Sequence, residues 1–168
     1  MGTLLLLAGP KGVGKSWVAE IAERDFGVHY VDADLLILDL LENGAQPDPE
    51  DGWLEPVRAA VFDALTTYPA VSAEITGAWD SDYKLADEAE QRGHRVVRLL
   101  ISAPLHETLQ RLRTRTAKKV PVSDEEAQAT FARVQDRVAG ERWDATLDTS
   151  GDEQPENVKR VLRQLLGA

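Results

Sequence analysis

Short apolar runs alternate with longer stretches of helical pattern along the whole chain. The apolar runs predict strands, and the stretches between them predict helices. An alternation of strands and helices favours a parallel sheet with helices on both faces. We therefore expect an α/β fold with strands over 3–8, 28–31, 70–75, 96–101 and 145–147 and helices over 15–26, 35–41, 54–67, 82–92, 105–115, 124–139 and 155–166.

Two interruptions of this alternation predict mobile segments. Residues 43–52 are rich in Gly, Pro and Asp and predict a long loop at the edge of a substrate site. Residues 117–123 include Pro121 and separate two predicted helices, so we expect a small lid over about 115–125. The sequence contains no internal repeat or linker, and its 168 residues suit one domain over 1–168.

Charge and composition narrow the classes of partner. The formal net charge is −10, which argues against nucleic acid and anionic membranes as partners. The chain has no cysteine, so disulfides and thiol chemistry are excluded, and a reducing compartment fits. The leucine run at 4–7 is too short to cross a membrane. We expect a cytoplasmic protein without a membrane contact.

One motif lies between the first predicted strand and the first predicted helix. Residues 9–16 read Gly-Pro-Lys-Gly-Val-Gly-Lys-Ser, a complete G-x-x-x-x-G-K-[ST] sequence. In such a loop the glycines let backbone N–H groups turn toward a polyphosphate, the lysine reaches the β- and γ-phosphates, and the serine hydroxyl ligates Mg²⁺. The helix N-terminus adds its dipole. The expected nucleotide contacts are Gly9, Pro10, Lys11, Gly12, Val13, Gly14, Lys15, Ser16 and Trp17, with Ser16 also on the metal.

Carboxylates follow two further strands, at the end of a parallel sheet where ligands bind. Asp32 and Asp34 are two positions apart, so in an extended segment both can face one cleft. Asp34 is the candidate base for a hydroxyl, and Asp32 is a candidate to hold Mg²⁺ through water, unless one of them only caps a helix. Glu74 lies near the end of an apolar strand. It is either associated with Mg²⁺, in contact with substrate, or an acid at the surface.

Arginines supply the remaining candidates. Arg111 and Arg115 are four positions apart, on one face of a predicted helix. Arg115 is a candidate to stabilise charge on a transferring group and Arg111 to stack over adenine, unless both form a basic outer face. Arg58 either grips an anionic substrate group or lies on a helix surface. Thr76 and Gly77, just past the third strand, complete the expected substrate contacts.

The chain resembles P-loop kinases that phosphorylate hydroxyl groups, and the first similarity is to the shikimate- and gluconate-kinase-like branch. Val31-Asp-Ala-Asp resembles the D-x-D segment of that branch, which implies Mg²⁺ association for Asp32 and binding of the substrate hydroxyl for Asp34. Leu147-Asp-Thr-Ser-Gly is similar to its adenine-side loop. Where that branch has three glycines after the third strand, this chain reads Glu74-Ile-Thr-Gly.

A second similarity is to the polynucleotide 5′-kinase and zeta-toxin-like branch. Arg111-Leu-Arg-Thr-Arg-Thr-Ala-Lys-Lys-Val-Pro resembles its arginine helix and lid, which implies that Arg115 is a lid arginine and Asp34 the general base. Both resemblances imply a three-layer P-loop NTPase fold with a five-stranded parallel sheet, and ATP and Mg²⁺ as cofactors. They imply a kinase, acting as a monomer or weak dimer, that transfers the γ-phosphate to a hydroxyl of an unidentified small molecule or nucleotide. A polynucleotide 5′-hydroxyl kinase, which the net charge disfavours, and a non-kinase ATPase or nucleotide-binding switch stay open.

Overall fold

The computed structural model describes residues 1–49, 52–116, 118–151 and 154–167. Within them, strands alternate with helices in the predicted order. The elements are β1 (Thr3–Ala8), α1 (Lys15–Phe26), β2 (His29–Val31), α2 (Ala33–Glu42), α3 (Leu54–Thr67), β3 (Ala70–Ile75), α4 (Asp80–Gln91), β4 (Arg95–Ser102), α5 (Leu105–Thr114), α6 (Asp124–Val138), β5 (Ala145–Asp148) and α7 (Pro155–Leu166). Parts of two predicted mobile segments, residues 50–51 and 117, lie outside the described residues.

The five strands form one parallel sheet in the order β2-β3-β1-β4-β5. β1 lies at its centre, and its apolar residues are buried on both faces. Leu5 and Leu7 pack with α1 and α7, whereas Leu4 and Leu6 pack with α3 and α4. This alternation follows from the two-residue period of a strand. The α/β fold expected from the sequence is therefore confirmed.

The order of the strands brings the candidate site residues to one edge of the sheet. Because β1 pairs with β3, and β3 with β2, the segments that leave these three strands lie side by side at the carboxyl edge of the sheet. The phosphate loop after β1, Glu74 in β3 and the Asp32–Asp34 segment after β2 all belong to this edge. A crevice beside the carboxyl ends of parallel strands is the usual place for a ligand in such sheets.

Two helix boundaries differ from the prediction in ways that affect the site. The helix predicted over 35–41 begins at Ala33, because Asp32 caps it by accepting a hydrogen bond from the Leu35 backbone N–H. The expectation of an extended segment carrying both acids is therefore wrong, and Asp34 lies in the first turn of α2. The helix predicted over 105–115 ends at Thr114, and Arg115 is already in an extended conformation. Arg111 and Arg115 thus do not share one helical face.

Within the described parts of the chain, the structure contains no helix with the length and apolar character needed to cross a membrane.

Candidate active site

The phosphate loop connects β1 to α1 and is shaped by glycines. Gly12 and Gly14 have φ angles of 89° and 98°, in the left-handed region that favours glycine. Space requires glycine as well, because a Cβ at position 12 would lie 2.6 Å from the Thr108 carbonyl oxygen. The loop is therefore packed tightly against α5, with its backbone at the start of α1, where an anion is favoured.

Lys15 is held inside this loop. Its Nζ donates hydrogen bonds to the Gly9 carbonyl at 2.7 Å and to the Pro10 carbonyl at 3.0 Å. The side chain is buried, and this burial lowers the pKa of Lys15, although Glu74 and Asp34 act in the opposite direction. Because these two contacts are with neutral carbonyl oxygens, the charge of Lys15 is well suited to meet a phosphate.

A three-residue cluster joins the phosphate loop to β2 and β3. The Ser16 hydroxyl donates to Glu74 Oε1 at 2.7 Å, and the Tyr30 hydroxyl donates to the same oxygen. Burial and the Glu74 carboxylate raise the pKa of Tyr30, so the phenol stays protonated as a donor. Sequence reasoning missed Tyr30. The only available signal was an aromatic hydroxyl in the strand before the D-x-D segment.

The donor set of this cluster fits a hard cation such as Mg²⁺. A hydroxyl and a carboxylate oxygen are the ligands that Mg²⁺ accepts from a protein when phosphate oxygens and water complete its shell. Ser16 and Glu74 supply these two groups. Among the described residues, no group of three or more His, Cys, Asp or Glu side chains is arranged to hold a metal, so protein side chains alone do not form a metal cage there.

The D-x-D segment meets the lid. Asp32 Oδ1 caps α2, and Asp32 Oδ2 accepts a hydrogen bond from Lys119 Nζ at 3.0 Å. The same ammonium lies 3.8 Å from Asp34 Oδ2, and the Lys119 side chain is only 11% exposed. Asp32 is therefore a helix cap, as the sequence allowed, and also one end of a contact between the lid and α2.

Arg111 and Arg115 are engaged with backbone groups around the phosphate loop. Arg111 donates to the Thr149 carbonyl oxygen at 2.5 Å and to the Thr149 hydroxyl at 3.1 Å, and it pairs with Glu107. Thr149 is buried and donates its hydroxyl to the Val13 carbonyl at 2.6 Å. Arg115 donates to the Val120 carbonyl in the lid at 2.9 Å. Arg111 thus connects the phosphate loop to the segment after β5, and Arg115 anchors the lid.

The candidate site contains two neighbouring cavities, and a third lies near Trp17. The first, which we name the phosphate cavity, is lined by Lys11, Gly12, Gly14, Lys15, Ser16, Asp34, Glu74, Arg111, Leu112, Arg115 and Lys119. The second, which we name the side cavity, lies between α2, α3, β3 and α4. Of the residues that the structure describes, Lys11, Lys15, Asp34 and Glu74 line both. Trp17 lines a third cavity together with Asp148, Thr149 and Ser150, which belong to the loop that resembles an adenine-side segment.

The predicted substrate residues lie in or beside the side cavity. Thr76 lines it, and Gly77 follows directly. Both donate to Asp82 Oδ2, Thr76 through its hydroxyl at 2.7 Å and Gly77 through its N–H at 2.9 Å. Arg58 also lines the cavity, with its guanidinium held by Glu55 and Glu88. Asp82 was not identified from the sequence, because an acid in the first turn of a helix is commonly only a cap.

Comparison with known proteins supports this description at the level of the fold. No protein-family model and no curated protein matches the sequence. Among solved structures, shikimate kinase from Acinetobacter baumannii in complex with shikimate has a TM-score of 0.67 at 17% identity, over 99% of this chain and 94% of that one. A gluconokinase from Sinorhizobium meliloti 1021 has a TM-score of 0.63 at 19% identity, over 99% and 96%. The tunicamycin resistance protein of Deinococcus radiodurans has a TM-score of 0.66 at 20% identity, over 98% and 95%.

Proposed function

From the fold that this chain shares with the P-loop kinases, we propose that the protein is an ATP-dependent kinase that transfers the γ-phosphate to a hydroxyl group of a small molecule. One observation carries the proposal: Asp34 lines both the phosphate cavity and the side cavity. A carboxylate at the junction of the two cavities can accept the proton of a hydroxyl while its oxygen attacks a phosphate.

Each residue at the junction has a part in the proposed transfer. Lys15 and Lys11 bind the β- and γ-phosphates, and Asp34 orients the acceptor hydroxyl and takes its proton. A bond forms between the acceptor oxygen and the γ-phosphorus as the bond between that phosphorus and the β–γ bridging oxygen breaks, and ADP leaves. Mg²⁺, for which Ser16 and Glu74 are the suitable ligands, would neutralise charge on the phosphates. Arg115 and Lys119 bring the lid over the phosphate cavity, where excluding water limits hydrolysis of ATP.

Two features favour a small acceptor over the alternatives. A strand of nucleic acid is bound chiefly through cationic contacts with its phosphates, and this chain has a net charge of −10. An ATPase or nucleotide switch has no need of a second cavity beside the catalytic carboxylate, whereas this chain has one. The partners we propose are ATP and an unidentified hydroxyl compound.

The test is a transfer assay on wild-type protein and an Asp34→Asn variant. ATP consumption is measured against a panel of sugars, polyol acids, nucleosides, aryl alcohols and oligonucleotides with a 5′-hydroxyl. We expect Asp34→Asn to keep ATP binding and to lower transfer by about 10²- to 10⁴-fold, the usual contribution of general base catalysis. Asp39→Asn is the matched control, because Asp39 lies exposed on the same helix. Full transfer activity of Asp34→Asn would show that Asp34 is not part of the mechanism. A rate of ATP hydrolysis that stays the same with every acceptor tested would refute the proposed kinase activity.

A further inference from the structure

The arginine of the side cavity is already paired with carboxylates. Arg58 Nε and Nη2 donate to the two oxygens of Glu55 at 2.8 and 3.2 Å, and Nη1 donates to Glu88 at 2.7 Å. Paired fork contacts of this kind are the strongest that a guanidinium makes with a carboxylate. These contacts use three of the five N–H donors of Arg58 and balance its charge with two carboxylates, so an anionic group on a ligand would have to compete with them.

The other charged side chains near the side cavity do not supply a cation in place of the paired Arg58. Glu88 also pairs with Arg92, so Arg58, Arg92, Glu55 and Glu88 form a balanced network, of which Arg58 lines the cavity. Elsewhere in the lining, Asp34, Glu74 and Asp82 outnumber Lys11 and Lys15. Both lysines also line the phosphate cavity, where the nucleotide phosphates would engage them. A carboxylate brought into the side cavity would therefore face other carboxylates, and this costs binding free energy.

Apart from Thr76 and Ser81, the rest of the described lining is apolar. Ile37, Trp53, Leu54, Val57, Ile75 and Leu85 come from four segments of the chain and surround the space beside Asp34. Burying apolar or aromatic surface of a ligand against such side chains is favourable. Pockets that combine an apolar wall with a few polar groups are typical of sites for small organic ligands.

We propose that the acceptor is an uncharged hydroxyl compound with an apolar or aromatic body. Glu55 and Glu88 are then specificity-determining residues, because they keep Arg58 from binding a carboxylate. This inference rests on the function proposed above and narrows its substrate class. It separates this chain from the shikimate kinase and the gluconokinase whose folds it shares, since shikimate and gluconate are both carboxylates.

The test compares matched pairs of compounds that differ in one charged group. The pairs are 3-phenylpropane-1,2-diol with 3-phenyllactate, and uridine with uridine 5′-monophosphate. Binding to the full chain is measured by calorimetry in the presence of a non-hydrolysable ATP analogue, and transfer is measured separately with ATP. We expect the uncharged member of at least one pair to bind about tenfold more tightly than its anionic partner, a difference that corresponds to about 1.4 kcal/mol.

A charge-removing variant tests the role of the glutamates. Glu55→Gln releases two donors of Arg58, and we expect the affinity for 3-phenyllactate to rise about fivefold, as losing one exposed ion pair allows. Glu90→Gln is the matched control, since Glu90 of α4 pairs with Arg98 of β4 and makes no described contact with Arg58. We expect it to leave both affinities unchanged.

The outcomes separate this inference from the function on which it rests. Equal or tighter binding of the anionic members, or binding of neither member of either pair, overturns the inference about substrate class. An unchanged affinity of Glu55→Gln for 3-phenyllactate overturns the role of Glu55. Tight binding of the uncharged compounds, without transfer to them or to any other acceptor, refutes the proposed kinase activity. The inference that the side cavity prefers uncharged compounds is then still supported.

Discussion

The hydrogen bond from the Tyr30 hydroxyl to Glu74 is the contact whose removal gives the most direct test of the structure. Tyr30→Phe removes this donor and keeps the ring. A hydrogen bond to a charged group contributes about 1.5–3 kcal/mol to stability. In a chain of this length, each kcal/mol corresponds to roughly 2–4 °C in the melting temperature. We therefore expect Tyr30→Phe to melt roughly 3–12 °C below the wild type at pH 7.

The same contact predicts how the difference depends on pH. Burial and Glu74 raise the pKa of Tyr30 in the folded protein, whereas in the unfolded chain it titrates near its ordinary value of about 10. Above that pH the unfolded chain releases a proton that the folded protein keeps, so the wild type loses stability as the pH rises. At pH 11 the loss is roughly 1.4 kcal/mol, the value of one pH unit. Tyr30→Phe has no such loss, and the gap between the two proteins narrows.

Urea denaturation at pH 7, 9 and 11 measures this gap as a difference in free energy of unfolding. The pKa of Tyr83 is also raised, to about 12, through its burial, but Tyr83 is present in both proteins and its effect cancels. Tyr68→Phe is the control, because Tyr68 is 41% exposed and stacks its ring on His29, outside the cluster of Tyr30, Ser16 and Glu74. Equal stability of Tyr30→Phe and the wild type at pH 7, or a gap that stays constant up to pH 11, would refute the reasoning.

Three further substitutions have distinct expected results. Gly12→Ala places a Cβ 2.6 Å from the Thr108 carbonyl oxygen, at a φ of 89° that alanine rarely adopts. Calorimetry should therefore show weaker ATP binding and a lower melting temperature. Unchanged values would contradict the packing of this loop. Ser72→Ala removes a buried hydroxyl that has no hydrogen-bond partner in the structure described, so the free energy of unfolding should stay equal or rise by about 1 kcal/mol, and a clear loss in urea denaturation would show a missed partner. Lys119→Ala breaks the contact between the lid and α2, and we expect transfer to fall about tenfold. Because the Lys119 side chain is only 11% exposed, urea denaturation should also show a loss of about 1–3 kcal/mol in the free energy of unfolding. Lys118→Ala, whose ion pair is exposed, should leave transfer unchanged and cost less than about 1 kcal/mol.

Much of the fold was predictable because it rests on local patterns. The strand β1 and the helices α1 and α7 have the predicted bounds, since their apolar positions follow the periods of a strand or a helix. The turn at residues 9–16 was predictable for a similar reason, because its eight residues are consecutive and its glycines allow the positive φ angles that the turn needs. The start of α2 was predicted two residues late, because the sequence allowed one of the two acids to cap the helix without showing that it is Asp32.

The partners of the candidate residues were not predictable in this way. Glu74 was identified as a carboxylate near a strand end, but its donor Tyr30 is 44 positions away and reaches it only because β2 pairs with β3. Arg111 was expected over adenine, and the structure shows it bound to Thr149, 38 positions further along the chain. Such contacts depend on the order of strands in the sheet, which the sequence pattern of each strand does not encode.

The sequence by itself thus determined the α/β fold class and the position of the glycine-shaped loop at 9–16, because periodicity and glycine conformations act over a few residues. Only the tertiary structure decided which charges meet. It pairs Arg58 with Glu88 across 30 positions, brings Lys119 of the lid onto Asp32 across 87, and places Asp34 between two cavities. The physical reason is that electrostatic interactions depend on the distance between charges in space. The number of residues between two charges in the sequence does not give this distance, which is set when the strands pair and their carboxyl ends come to lie side by side.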